Sequence, residues 1–236
     1  MKWARALSAA LGLLPLAATF PAQAEVPSCR LPPQVTAPAL PAPDGPRRAL
    51  PIAGYTLALS WSPEYCRTRG RDPRAAFQCG GELGRFGFIL HGLWPESSPG
   101  QWPQWCAARP VPAETVRRNL CLMPSPDLIT HEWAKHGACM ARTPEGYLRA
   151  SAALVGSLRF PDMIGLSRRP GLTAGDLRAA LRKATPFLPV SAIRVKANQR
   201  GWLQELHVCY DKGFMPAPCA DRGAEDSAPL KIWRGS

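Results

Sequence analysis

Several common frameworks are missing from this chain. None of its eight cysteines forms a C-x-x-C pair, which removes the usual ligand spacing of structural zinc sites. Beyond residue 24 no stretch offers the roughly twenty apolar residues of a membrane-spanning helix. There is no internal repeat and no run of basic residues of the kind that makes a nucleic-acid tail. There is no N-x-S/T sequon, so N-glycosylation is not expected. The zinc-protease pattern H-E-x-x-H is also incomplete. His131-Glu132 is followed by Lys135 at i+4, and the next histidine, His136, comes at i+5. A protonated lysine between two imidazoles repels a divalent cation, so no metal and no other cofactor is expected.

What is present points to export. Lys2 and Arg5 open the chain, an apolar run from Leu7 to Phe20 follows, and Ala22-Gln23-Ala24 has the form of a cleavage site. Residues 1–24 therefore read as a signal peptide, and a periplasmic or secreted protein is expected. Cleavage leaves 236 less 24, or 212, residues, enough for one domain with its own core. All eight cysteines lie after the cleavage site, as a disulfide framework in an oxidising compartment requires; eight cysteines allow 105 pairings. The net charge is +12, of which the leader carries two. That balance suits a polyanion such as RNA, and by itself it suits solubility or an anionic membrane surface equally well. Residues 25–51 are rich in Pro and Ala and read as an extended arm, pinned at one end by Cys29.

The densest chemistry lies in Thr130-His131-Glu132-Trp133-Ala134-Lys135-His136-Gly137-Ala138-Cys139. It reads as a helix entered near Pro126-Asp127 and stopped by Gly137. At about 100° per residue, His131, Lys135, Glu132 and His136 crowd one face, and Trp133 and Ala134 turn towards the core. Imidazoles move protons near neutral pH, and cations stabilise charge building on a phosphate. A second stretch, Phe86 to Glu96, reads as a buried strand whose end presents His91, followed by a Gly-Leu-Trp-Pro turn.

The segments H-G-L-W-P and H-E-W-A-K-H-G-A-C, in this order and about forty residues apart, resemble the two active-site segments of the ribonuclease T2 family. The resemblance extends over about residues 52–233 and does not reach the arm. It implies an α+β fold, a central antiparallel sheet packed with helices, as one disulfide-stapled domain over residues 52–236. It implies Cys106 paired with Cys139, and Cys66–Cys79 and Cys209–Cys219 as short local loops; Cys29 and Cys121 are then left for each other. It also implies an endoribonuclease that cleaves single-stranded RNA by metal-independent transesterification. On that reading His136 is the general base, His91 the general acid, His131 a phosphate ligand, and Lys135 and Glu132 stabilise the transition state. Glu132 is further expected to act on His136, so that Glu132→Gln moves the acid limb of the pH profile to lower pH.

Trp94 and Glu96 fall where the resemblance implies a base pocket, although relatives often carry Asp at the second position. Trp102 is a candidate for stacking on an unpaired base, Trp105 for packing, and His207 for a structural role in a strand. Leu128 and Ile129 stand where relatives often have aromatics. DNA lacks the 2′-OH and is expected to escape cleavage. No stable membrane association is expected, and the protein is expected to be a monomer. The rival readings are a secreted RNA-binding protein without catalysis and a metal-dependent hydrolase.

Outside the motifs, Tyr55–Trp61 alternates as a strand with one buried face, and Ser62–Cys66 reads as a turn. Residues 67–84 read as a loop. Helices are expected over 112–122, over 144–160 with Tyr147, Leu148, Ala152, Val155 and Leu158 buried, and from Thr173, where Asp176 suggests a capping box. Strands are expected at 193–196, 203–210 and 230–233.

Overall fold

The computed structural model describes residues 29–98 and 100–235, so the expected leader lies outside the described residues. Strand β1 (Gly54–Trp61) leads directly into helix α1 (Ser62–Arg69), with Pro63 in the first turn. Where a turn was expected, this proline starts a helix, because its fixed φ suits that position. A short helix α2 (Ala76–Cys79) follows within the expected loop. Strand β2 (Phe88–Glu96) precedes α3 (Ala113–Asn119), α4 (Pro126–Lys135) and α5 (Pro144–Ser157). Then come α6 (Met163–Ser167), which the sequence did not suggest, α7 (Ala174–Ala184), β3 (Ile193–Ala197) and β4 (Leu203–Asp211).

The four strands form one antiparallel sheet in the order β2-β1-β4-β3. Its register makes two faces of opposite character. Leu93, Leu57, Val208 and Ile193 align across the sheet, as do Leu90, Leu59, Leu206 and Val195, and all are fully buried. This apolar face packs in one core with Ile129, Trp133, Tyr147 and Leu148 from α4 and α5 and with Leu177 and Leu181 from α7. The other face carries Trp94 with Thr56, and Ser60 with Glu205 and Lys196. Ala58 is fully buried on that face as well, so β1 is covered on both sides, as a central strand is.

Three local expectations change. The Gly-Leu-Trp-Pro segment continues β2 to Glu96 and makes no turn. β2 is an edge strand, where Pro95 lacks no needed ladder donor. The expected strand at 230–233 forms a single isolated bridge instead, with Lys231 beside Trp202. In α5, Tyr147, Leu148 and Ser151 are buried and Ala152 faces solvent. The capping box at Thr173 and Asp176 is complete.

The disulfides join Cys29 to Cys121, Cys66 to Cys79, Cys106 to Cys139 and Cys209 to Cys219. In the chain-entropy picture the 33-residue separation of Cys106 and Cys139 corresponds to roughly 3–4 kcal/mol. The arm does not hang free. Arg48 and Gln104 exchange two backbone hydrogen bonds of 2.9 Å, and Arg30 N–H donates to Leu83 at 2.8 Å. Among the described residues no helix is long and apolar enough to cross a membrane.

Candidate active site

Helix α4 brings four of the site residues together. Ser125 caps its start by accepting from Leu128 N–H at 3.2 Å, and Pro126 occupies the first turn. Trp133 and Ile129 turn inward, and Gly137 ends the segment where a Cβ would lie 2.7 Å from both Trp133 and Tyr147. Only glycine therefore lets the chain leave the helix this close to the core. His131 and Lys135 are left half-buried, while Glu132 and His136 are buried beneath them.

A bulge in β2 supplies His91. Ala58 pairs with Gly92 and Leu59 with Leu90, so His91 is the extra residue without a partner on β1. A bulge of this kind re-aims a side chain that regular alternation would send elsewhere. Next to it, a Cβ on Gly92 would overlap the Glu132 carboxylate and stand 2.5 Å from Trp94 Nε1. Glycine here makes room for the 2.7 Å hydrogen bond from Trp94 Nε1–H to Glu132 Oε2.

His91, Trp94, Glu96, Trp102, His131, Glu132, Lys135 and His136 all line one cleft of about 760 Å³. The structure therefore gathers every candidate catalytic and substrate-binding residue of the sequence reading in one place. Trp94 lies at the centre of the histidines, edge-on to His91 and to His207 with centroids 5.2 Å apart, and 5.7 Å from His136. Glu96 accepts from the Thr56 hydroxyl at 2.9 Å, and burial pushes its carboxyl upward. Trp102 is partly exposed, with the Arg48 guanidinium 4.7 Å from its ring centre. Trp105 is buried and edge-on to His131 at 5.6 Å.

Two contributors were absent from the sequence reading. Asp44, on the arm, accepts from Lys135 Nζ at 2.8 Å and from Trp105 Nε1–H at 3.0 Å. Nothing in a Pro-rich stretch signals such a contact. Glu205, on β4, lies 2.6 Å from His91 Nδ1 and 2.9 Å from His207 Nε2. A signal existed here, since Glu205 and His207 are two apart on a strand and share a face.

The electrostatics divide the cleft. Burial alone lowers the His91 imidazole, but the hydrogen bond to Glu205 and the charges of Glu132 and Glu205 outweigh it and raise its pKa. His136 goes the other way: burial, then Lys135 and His131, push it down to about 3. Its Nδ1 is buried with no hydrogen-bond partner among the described residues, so a proton there would have nothing to bond. Burial and Lys135 also lower His131, with Asp44 opposing. Burial raises the Glu132 carboxyl, and His91 and the Trp94 N–H draw it back. Glu132 Oε1 stands 3.7 Å from His91 Nε2. This differs from the expectation that Glu132 acts on His136; its carboxylate faces His91 because the Trp94 bond turns it towards β2.

Comparison with known proteins gives a consistent picture. The model of the Ribonuclease T2 family matches residues 53–219. A ribonuclease from Aeromonas hydrophila is 30% identical over 183 residues, covering 74% of this chain and 80% of that protein. A protein described as "Probable ribonuclease" from Haemophilus influenzae is 27% identical over 190 residues, 75% of this chain, and the match spans 65% of its own length. Among solved structures, an RNase-related protein from Calystegia sepium superposes with a TM-score of 0.61 at 20% identity, over 76% of this chain and 96% of the other. At that identity the superposition speaks for the fold alone.

Proposed function

This chain belongs to the ribonuclease T2 family and is an enzyme of that type, and from that premise we propose that it cleaves single-stranded RNA by transesterification, without a metal. The 2′-oxygen of the RNA attacks the adjacent phosphorus and the 5′-oxygen leaves, giving a 2′,3′-cyclic phosphate and a free 5′-OH. His136 takes the proton of the 2′-OH. His91 gives a proton to the departing 5′-oxygen. His131 and Lys135 hold the phosphate oxygens, and Lys135 and Glu132 stabilise the crowded phosphorus centre. Trp94 and Glu96 receive the base, and Trp102 offers a further stacking surface at the cleft edge.

One observation carries this reading: the pKa values of two histidines in one cleft are pushed in opposite directions. His91 is raised by two carboxylates, and His136 is lowered by burial first and then by Lys135 and the neighbouring imidazoles. Groups with separated pKa values in one site are what an acid and a base require. The nucleophile comes from the substrate, so DNA is expected to bind through its phosphates and remain uncut. The four disulfides favour action in the periplasm or outside the cell.

The test is to incubate the purified protein with a single-stranded RNA oligonucleotide and its DNA counterpart in excess EDTA. Mass spectrometry of the products is expected to show RNA fragments ending in 2′,3′-cyclic phosphate and intact DNA. Intact RNA, or cleavage restored only by added divalent metal, overturns the proposal.

A further inference from the structure

Glu205 has more partners than its place in a strand requires. The sheet carries it to His91 across 114 residues of sequence, because β1 pairs with both β4 and β2 and Ser60 lies opposite Glu205 on one side and Ile89 on the other. The Ser60 hydroxyl donates to Glu205 Oε1 at 3.3 Å, the same oxygen that stands 2.6 Å from His91 Nδ1. The second oxygen meets His207 Nε2 at 2.9 Å and Lys196 Nζ at 3.2 Å. The side chain is 14% exposed, so these contacts hold it with little competition from water.

An ionised carboxylate only accepts hydrogen bonds, so the proton of the neutral His91 ring belongs on Nδ1. Nε2 is then the atom free to exchange a proton with a ligand in the cleft. We propose that Glu205 is a positioning residue of the reaction: it anchors His91 through Nδ1 and turns Nε2 to the leaving 5′-oxygen, while His207 and Lys196 hold the carboxylate in place. This rests on the ribonuclease reading and extends it to a residue of neither motif. It also gives His207 a part beyond filling the strand, since it donates to the second oxygen of Glu205.

The groups that act on His91 come from every element around it. Glu132 approaches from α4, Glu205 from β4 and Lys196 from β3. His131 and His136, from α4 and its end, share the cleft. Glu205 is the one in hydrogen-bond contact. Its own pKa is held well below the usual carboxylate range, since the bonds from His207 and His91 outweigh the effect of burial. Replacing it with a neutral amide makes protonated His91 less favourable. The limb of kcat/KM that reports the acid is the basic one, so that limb moves to lower pH.

The experiment joins kinetics to histidine NMR on the full protein. In the wild type above the His91 midpoint, long-range ¹H–¹⁵N spectra are expected to show the Nδ1–H tautomer. In Glu205→Gln the His91 midpoint and the basic limb are both expected to move down by on the order of one pH unit. The same change lowers kcat by roughly tenfold to a hundredfold, with KM nearly unchanged. Glu205→Asp restores part of both shifts. A carboxylate with only a structural role lowers Tm and leaves the limb in place, which overturns the proposal. An Nε2–H tautomer in the wild type overturns it too, and that measurement does not depend on the variant folding. A wild type that cuts no RNA defeats the ribonuclease reading and this role with it. A cutting wild type with an unmoved Glu205→Gln limb defeats the role alone.

Discussion

His91 and His136 are the same side chain lining the same cleft, yet their surroundings are opposite in sign. His91 has Glu205 on Nδ1 and Glu132 near Nε2. His136 has Lys135 and His131 for electrostatic neighbours and a buried Nδ1 with no partner among the described residues. Burial pushes both imidazoles towards neutrality, and the anions reverse that push only at His91. On the proposed reading this difference lets one residue type serve as acid and as base in a single site: the scaffold sets two carboxylates beside one and a lysine beside the other. On that reading the phosphate of the substrate adds negative charge to the His136 side, where Asp44 already opposes the lowering. Its arrival is then expected to raise His136 towards the range where a base works well, so that base strength and substrate binding rise together.

The largest effect comes from removing either partner. His91→Ala and His136→Ala are each expected to lower kcat by about 10² to 10⁴, with the disulfide-bonded fold intact by circular dichroism. Turnover near the wild-type level in either variant breaks the assignment. Because kcat/KM reports the free enzyme and kcat the complex, the acid limb of kcat is expected at higher pH than that of kcat/KM. Coincident acid limbs mean that the phosphate does not lift His136.

The next effect is on stability. The His136 pKa is about 3 in the folded protein, against roughly 6.5 when unfolded. Between those values the unfolded chain binds the proton and the folded one does not. Stability is therefore full above about pH 6.5 and is lost as pH falls towards the folded value. Compared with His136→Gln, the wild type is expected to lose up to about 1.4 kcal/mol per pH unit across this window. Urea unfolding of both proteins from pH 7 to pH 4 measures the difference. Parallel curves mean that His136 is not held neutral by the fold. His91 has the opposite sign: its contribution is present below its unfolded value and is lost as pH rises through its raised folded one.

A smaller change sharpens the role of Glu132. With its carboxylate 3.7 Å from His91 Nε2, Glu132→Gln is expected to move the basic limb of kcat/KM to lower pH by less than Glu205→Gln does. The acid limb is expected to stay near its place. A shift confined to the acid limb restores the pairing with His136 that the sequence alone suggested.

That reassignment marks what was legible. The helix of the second motif could be read almost to its boundaries, because Ser125, Pro126, Lys135 and Gly137 punctuate it locally and the apolar residues keep its period. The residues of the cleft were legible as well, since both motifs are local in sequence. Orientation was not. The bulge that re-aims His91 is a property of the pairing of β1 with β2, and the turn of Glu132 towards β2 follows from its bond to Trp94. Glu205 and Asp44 reach their partners over 114 and 91 residues, and no local pattern encodes contacts at that distance. The Pro-rich segment was read as an arm, and its composition gave no hint that Asp44 meets Lys135.

The smallest expected effect concerns that contact. Asp44 adds an anion to the otherwise cationic side of the cleft, 2.8 Å from Lys135 Nζ, and opposes the lowering of His131 and His136. Lys135 must share its charge between this carboxylate and a bound phosphate. In Asp44→Asn the lysine turns wholly to the phosphate, so KM for RNA is expected to fall. The pair is half-open to solvent, with Asp44 53% exposed, and exposed pairs are weak, so the gain should stay under about fivefold. It should also shrink as salt is raised, since salt screens the lysine from both partners. The same substitution removes the negative charge that opposes the lowering of His136, and the acid limb of kcat/KM should move slightly to lower pH. Steady-state kinetics at low and high ionic strength measure both. A KM that rises in Asp44→Asn means that Asp44 holds Lys135 in its working position, and the arm is then part of the machinery that the cationic side needs.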